Sequence, residues 1–175
     1  LYFLHRPETI AVCDFHAAVS ELAVHIPASH PMAGRSIEDI YRYLAMKYLV
    51  PRADINAEAR AFFDAHIAGS SSVAVHLRGS DKATELLELD HLNHSLLDAV
   101  DALDPACRLF VLSDDQRWID RAVQRFGDRV ISTSHHRTST DIGVHLMKEN
   151  RGESLGREVL IDCCIALACD QFIGG

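Results

Sequence analysis

Two polar clusters in this chain of 175 residues carry side chains suited to chemistry on a charged ligand. The first, His76-Leu77-Arg78-Gly79-Ser80-Asp81-Lys82, directly follows the apolar run Val73-Ala74-Val75. Side chains alternate along an extended strand, so His76 and Arg78 point to one side and can reach one ligand. An arginine at a strand end presents a planar fork that matches two phosphate oxygens, and Lys82 adds a second cation. The same spacing also allows an Arg78–Asp81 ion pair that only closes a turn. The second cluster, Ser113-Asp114-Asp115, follows Leu109-Phe110-Val111-Leu112. Carboxylates placed there can hold Mg²⁺, accept hydrogen bonds from a base or ribose, or cap the next helix, and capping suits one of the two best. Glu85 and Asp162 are single acids in apolar helical stretches, where an exposed or partnered structural role is the default.

The elements that must position these clusters follow from periodicity. Ser36 is an N-cap with Asp39 three residues on. Ile37, Ile40, Tyr41, Leu44 and Tyr48 then keep helical spacing until Pro51. A second helix spans about Asp54 to His66, with Ile55, Ala59, Phe62 and Phe63 on its apolar face. After Gly69-Ser70-Ser71-Ser72, the run Val73–Leu77 lacks alternation, which fits a strand buried on both faces of a parallel sheet. Helix Thr84–Leu103, strand Leu109–Leu112, a helix through Trp118 and Phe126 ended by Gly127, and strand Arg129–Ser132 come next. A polar loop, Ser134–Ile142, precedes helix Glu153–Ala168 and strand Gln171–Ile173. Strands alternating with helices predict an α/β fold, a Rossmann-like doubly wound parallel sheet. Ligands of such sheets bind beyond the carboxyl ends of the strands, where both clusters stand. Gly69-Ser70-Ser71-Ser72 lacks the GK[ST] ending of a P-loop, and neither GxGxxG nor GxSxG occurs.

Composition narrows the classes further. Seventeen Lys plus Arg against 25 Asp plus Glu give a formal charge of −8, which argues against a nucleic-acid binder with a broad basic face. No apolar run reaches the roughly 20 residues a membrane-spanning helix needs. Five cysteines without a CxxC pair suggest reduced thiols and a cytoplasmic setting, and Cys163, Cys164 and Cys169 lack a spaced histidine for zinc. His135-His136, in a Ser/Thr-rich stretch, reads as a solvated loop. Leu1-Tyr2-Phe3 is neither an initiator methionine nor a signal peptide, and Gln171–Gly175 reads as a strand entering a glycine turn. A fragment of a longer protein is therefore expected. Residues 1–35 would be a linker or the remnant of a preceding domain, and 36–175 the α/β domain, incomplete at its C-terminus.

Taken together, the clusters resemble the donor-binding half of the fucosyltransferase superfamily that includes α1,6-fucosyltransferases, protein O-fucosyltransferases and nodulation fucosyltransferases. Its first motif, a strand followed by HxRxxDK, stands here as His76, Arg78, Asp81 and Lys82. Its second, an apolar strand ending in an acidic pair, is matched by Leu109 to Asp115. Its third begins at Val159-Leu160-Ile161-Asp162 and runs into Cys169–Gly175. The lead-in Tyr48-Leu49-Val50-Pro51 agrees as well, and the likeness covers about residues 44–175.

The resemblance implies the C-terminal half of a GT-B glycosyltransferase, with GDP-fucose as donor substrate, a glycan or glycoconjugate hydroxyl as acceptor, inversion at the anomeric carbon and no essential metal or other cofactor. Arg78 would then neutralise the leaving diphosphate and His76 position the diphosphate or fucose. Asp114 or Asp115 would contact the nucleoside, Asp162 would orient Arg78 or bind the nucleotide, and Asp81 and Lys82 would organise the motif turn. Glu85 resembles the family's glutamate just after the first motif, one residue closer here, and would be the general base. Gly79 stands where the family often has a second arginine, so a similar deoxyhexose remains an alternative to fucose. Two further classes are a non-catalytic nucleotide- or partner-binding module of the same fold and a Mg²⁺-dependent phosphotransferase using Asp114 and Asp115.

Overall fold

A computed structural model describes residues 23–79, 88–147 and 152–174. The chain divides into two compact units, Leu1–Val50 and Pro51–Gly175. Within the first, helix α1 (Ile37–Tyr48) starts where the sequence places it. Ser36 is extended, and its hydroxyl accepts a hydrogen bond from the Asp39 N–H at 3.1 Å.

The second unit holds strands β1 (Ser72–His76), β2 (Arg108–Leu112), β3 (Val130–Ile131) and β4 (Gln171–Gly174). Its helices are α2 (Ala53–His66), α3 (Leu89–Asp101), α4 (Gln116–Phe126) and α5 (Gly152–Ala168). All strand pairs are parallel, in the order β3-β2-β1-β4. The chain steps outward from β1 through β2 to β3, then returns past β1 to lay down β4. The order thus reverses between β1 and β4, where sheets of this kind open a crevice for ligands. The start of the helix expected at Thr84 lies outside the described residues, and its later turns are α3.

Both faces of β1 and β2 are covered, which explains their unbroken apolar runs, while β4 at the sheet edge is largely exposed. On one face Val73, Val75, Leu109 and Val111 pack with Leu97 and Val100 of α3 and with Trp118, Ile119 and Ala122 of α4. On the other, Ala74 and Phe110 pack with Ile55 and Ala59 of α2 and with Ile161 and Ile165 of α5. This is an α/β unit with a parallel sheet between two helical layers, consistent with a Rossmann-like layout. Among the described residues, no helix is long and apolar enough to cross a membrane.

The register at the amino edge is set by Asp170, just before β4. One carboxylate oxygen accepts from the Ser72 N–H at 2.8 Å and from the Ser72 hydroxyl at 3.0 Å, and the Asp170 N–H donates back to that hydroxyl at 3.2 Å. Ser72 is buried, so its amide has no water to replace a lost partner. Asp170→Ala is expected to destabilise the domain by about 1–3 kcal/mol, the cost of leaving a buried donor unpaired. Denaturant unfolding checks this, and an unchanged midpoint would show that Asp170 does not hold β4 to β1.

Candidate functional site

At the carboxyl edge His76 closes β1, paired in register with Leu112 of β2 and Gly174 of β4. Its ring is half-buried. Burial pushes the imidazole below its ordinary pKa, Arg78 adds repulsion, and Asp114 pulls the other way. His76 is therefore neutral at pH 7, able to donate from one ring nitrogen and accept at the other. Arg78 is exposed two residues on, as the strand alternation requires.

The backbone under Arg78 is fixed by a residue that the motif reading missed. Asn93 of α3 is fully buried. Its Oδ1 accepts from the Arg78 N–H at 3.1 Å and its Nδ2 donates to the Arg78 carbonyl at 2.5 Å. One amide thus satisfies both backbone groups just past the end of the strand. The sequence does hold a signal for it: Leu89, Asn93, Leu97 and Val100 form the buried stripe of α3, and Asn93 is its only polar member. A polar residue on a core stripe has to find a partner.

Gly79 follows, buried, with its Cα against the second cluster. A Cβ built there would lie 2.3 Å from Asp115 Cβ and 3.2 Å from an Asp114 carboxylate oxygen. An arginine after Arg78 is thus sterically barred in this arrangement, a physical reason for the glycine where the resembled motif often has a second arginine. The close approach also brings the two clusters together, so that Asp114 of the second acts on the charge of His76 in the first.

Asp114 and Asp115 have different jobs. Asp115 is 1% exposed and caps α4, accepting from the Arg117 N–H at 2.9 Å. The Arg117 guanidinium grips the same carboxylate at 2.6–3.1 Å and reaches Asp141 at 2.8 Å. Asp115 is therefore the capping member of the pair. Asp114 is the member beside Gly79 and His76.

Asp162 stands on α5, and its Oδ1 accepts from the Thr133 hydroxyl at 2.9 Å. His135 Nδ1 lies 2.9 Å from the same oxygen, in ion-pair contact but off the line of a well-directed ring hydrogen bond. One turn earlier on α5, Glu158 accepts from the His136 N–H at 3.0 Å and faces His136 Nδ1 at 2.7 Å. His135-His136, expected as a solvated loop, is thus a double clamp onto α5. The reason is spacing, because carboxylates four residues apart share a helix face and meet two adjacent residues of a passing loop. Asp162 works here as an organiser of the segment after β3. Asp81, Lys82 and Glu85 lie outside the described residues.

A cavity of about 580 Å³ opens at the first turns of α2 and α5, lined by Arg52, Gly152, Ser154 and Arg157 among others. Its arginines are already engaged, Arg52 with Asp54 and Arg157 with Asp54 and Glu58. It does not include the His76–Arg78 cluster. The described cysteines are free thiols, and burial pushes Cys169 up to about 11, so it is no nucleophile at neutral pH.

Comparison with known proteins returned no matching family model, no matching curated protein and no matching solved structure.

Two outcomes are expected. Asn93→Ala should destabilise the fold by about 1–3 kcal/mol for each backbone group left unpaired, and should release the loop that carries Arg78. Denaturant unfolding together with amide exchange at Arg78 reads both, and an unchanged exchange rate would remove Asn93 as the clamp. For His135, contact with Asp162 raises the imidazole pKa above 6.5, against the effect of burial. The stabilisation is fully present below pH 6.5 and is lost as pH rises through the folded-state value. In an NMR titration the His135 midpoint should fall in Asp162→Asn, and equal midpoints in the two proteins would exclude the pair.

Proposed function

We propose that this chain is the nucleotide-sugar-binding half of an inverting GT-B glycosyltransferase, which moves fucose or a similar deoxyhexose from GDP-fucose to a hydroxyl of a glycan or glycoconjugate. The observation that carries the reading is the placement of Arg78. It is an exposed guanidinium at the carboxyl end of the central strand, beside the point where strand order reverses, on a backbone locked by buried Asn93. The resemblance of His76-Leu77-Arg78-Gly79-Ser80-Asp81-Lys82 to the first motif of fucosyltransferases supplies the donor.

In this reading the acceptor oxygen forms a bond to the anomeric carbon as the bond from that carbon to the β-phosphate oxygen breaks. GDP leaves with the bonding electrons, and the acceptor proton passes to a base, for which Glu85 is the candidate by resemblance. Charge grows on the β-phosphate during the step, and a preorganised guanidinium stabilises it more in the transition state than in the ground state. Neutral His76 hydrogen-bonds the diphosphate or sugar without adding charge, and Asp114 accepts from the nucleoside. Protein cations take the place of a metal. Engagement of Asp115 with Arg117 weighs against a Mg²⁺ site built on both carboxylates of the pair.

Three results in the full-length protein test this. GDP and GDP-fucose should raise Tm more than UDP, CMP or ATP, equally with Mg²⁺ and with EDTA. Arg78→Ala should lower kcat/KM by at least about 10²-fold, the scale of losing one transition-state donor. Near-full turnover in that variant overturns the role of Arg78. Loss of turnover in EDTA with recovery on Mg²⁺ points to the phosphotransferase class, and binding without turnover to the non-catalytic module.

A further inference from the structure

A second arginine overhangs the same edge, and neither the motifs nor the resemblance includes it. Arg137 lies in the segment that follows β3. That segment folds back along the β2–α4 turn: the Thr138 N–H donates to the Asp114 carbonyl at 2.9 Å, and the Gln116 N–H donates to the Thr138 carbonyl at 2.8 Å. Arg137 is thereby set over the end of β2, where its Nε donates to the Ser113 carbonyl at 3.2 Å. Ser113 directly follows Leu112, the register partner of His76.

The environment of this guanidinium is unusual for a structural arginine. It is half-buried, yet all its hydrogen-bond partners are neutral: the Ser113 carbonyl, the His135 carbonyl at 3.4 Å and the Thr133 hydroxyl at 3.5 Å. The last two are long and weak. A guanidinium carries five N–H donors, so at least two are left over. Among the described residues, no carboxylate comes within ion-pair reach of Arg137, whereas Arg117, Arg125 and Arg157 each hold two. The acids that act on its charge, Asp162 and Glu158, are engaged with Thr133 and the two histidines. Burial disfavours its charge, with Asp162 and Glu158 opposing that effect from a distance. A half-buried cation without a carboxylate in ion-pair reach carries a desolvation cost, and an anionic ligand offsets it.

We infer that Arg137 is a second anion-contacting residue of the site, which takes a phosphoryl group of the bound ligand from the β2–β3 side while Arg78 approaches from the β1 side. The double histidine clamp fixes the segment that carries it, so the fork is presented with little conformational freedom to lose. The inference deepens the nucleotide-diphosphate reading and rests on it for the ligand, but the anion site itself requires only the phosphoryl chemistry.

Calorimetry on the full-length protein with inorganic pyrophosphate, GDP, UDP and guanosine, comparing wild type with Arg137→Gln, separates the possibilities. Removal of one charge-assisted contact should weaken pyrophosphate and GDP about tenfold or more and leave guanosine within about twofold. Equal weakening of GDP and guanosine would mean that Arg137 only pins the loop, and unchanged GDP affinity would mean that it touches no phosphate. Either result overturns the inference while GDP binding by wild type keeps the nucleotide reading. Arg137-dependent binding of pyrophosphate with no preference for GDP over UDP keeps the inference and removes the guanine donor. If wild type binds none of the phosphorylated ligands, both fall. Should Arg137→Gln lose its cooperative unfolding transition, Arg137→Lys carries the test: it keeps the charge but not the fork, and pyrophosphate should weaken while guanosine does not.

Discussion

Strand β1 hydrogen-bonds to a neighbour along each of its edges, and that double pairing governs where every candidate residue stands. Pairing with β2 puts His76 beside Leu112, and pairing with β4 puts it beside Gly174, so three strand ends finish in line. A Cβ on Gly174 would come within 3.2 Å of His76 Cβ and closer still to the Phe172 ring, which shows how tightly this corner is packed. Ser72 and Asp170 secure the same pairing at the opposite end of β1. With both ends held, the strand has no freedom to slip by one residue, a slip that would turn His76 and Arg78 to the other face of the sheet.

From that frame the edge is assembled by polar contacts between elements distant in sequence. Asn93 reaches back fifteen residues to seize the backbone of Arg78. Gly79 lets the loop lie against Asp114 and Asp115, and Asp115 starts α4 while holding Arg117. Glu158 and Asp162 of α5 draw in the segment after β3 through His135 and His136. In a chain of formal charge −8, this edge gathers Arg78 and Arg137 beside two histidines. The acids near them are mostly engaged with other partners. The two guanidiniums are the electrostatic basis of the proposed nucleotide-diphosphate site.

The divided roles of the acidic pair show how packing assigns chemistry. Asp114 and Asp115 are equivalent by type and by position after β2. Burial against the loop at Gly79 and the reach of Arg117 commit Asp115 to the helix start, whereas Asp114 stands beside Gly79 and His76. Asp162 on α5 is likewise given its partners by packing, in contact with Thr133 and His135.

Local pattern alone determined much of this protein. Apolar runs without alternation marked strands covered on both faces, helical spacing marked the layers between them, and Ser36, one member of the Asp114-Asp115 pair and Gly127 marked helix ends. These features are legible because each depends on neighbours a few residues apart. The strand order placed His76-Arg78 and Ser113-Asp114-Asp115 on one edge, also as the sequence anticipated. What only the tertiary structure decided were the partners across long separations: Asn93 under Arg78, the collision that keeps residue 79 a glycine, the histidine clamp on α5, and an Arg137 with no carboxylate in ion-pair reach among the described residues. Those depend on which side chain meets which after the helices dock. A one-dimensional pattern carries no record of that, because a buried amide, a close backbone approach and a missing counter-ion are defined by surroundings brought in from elsewhere in the chain.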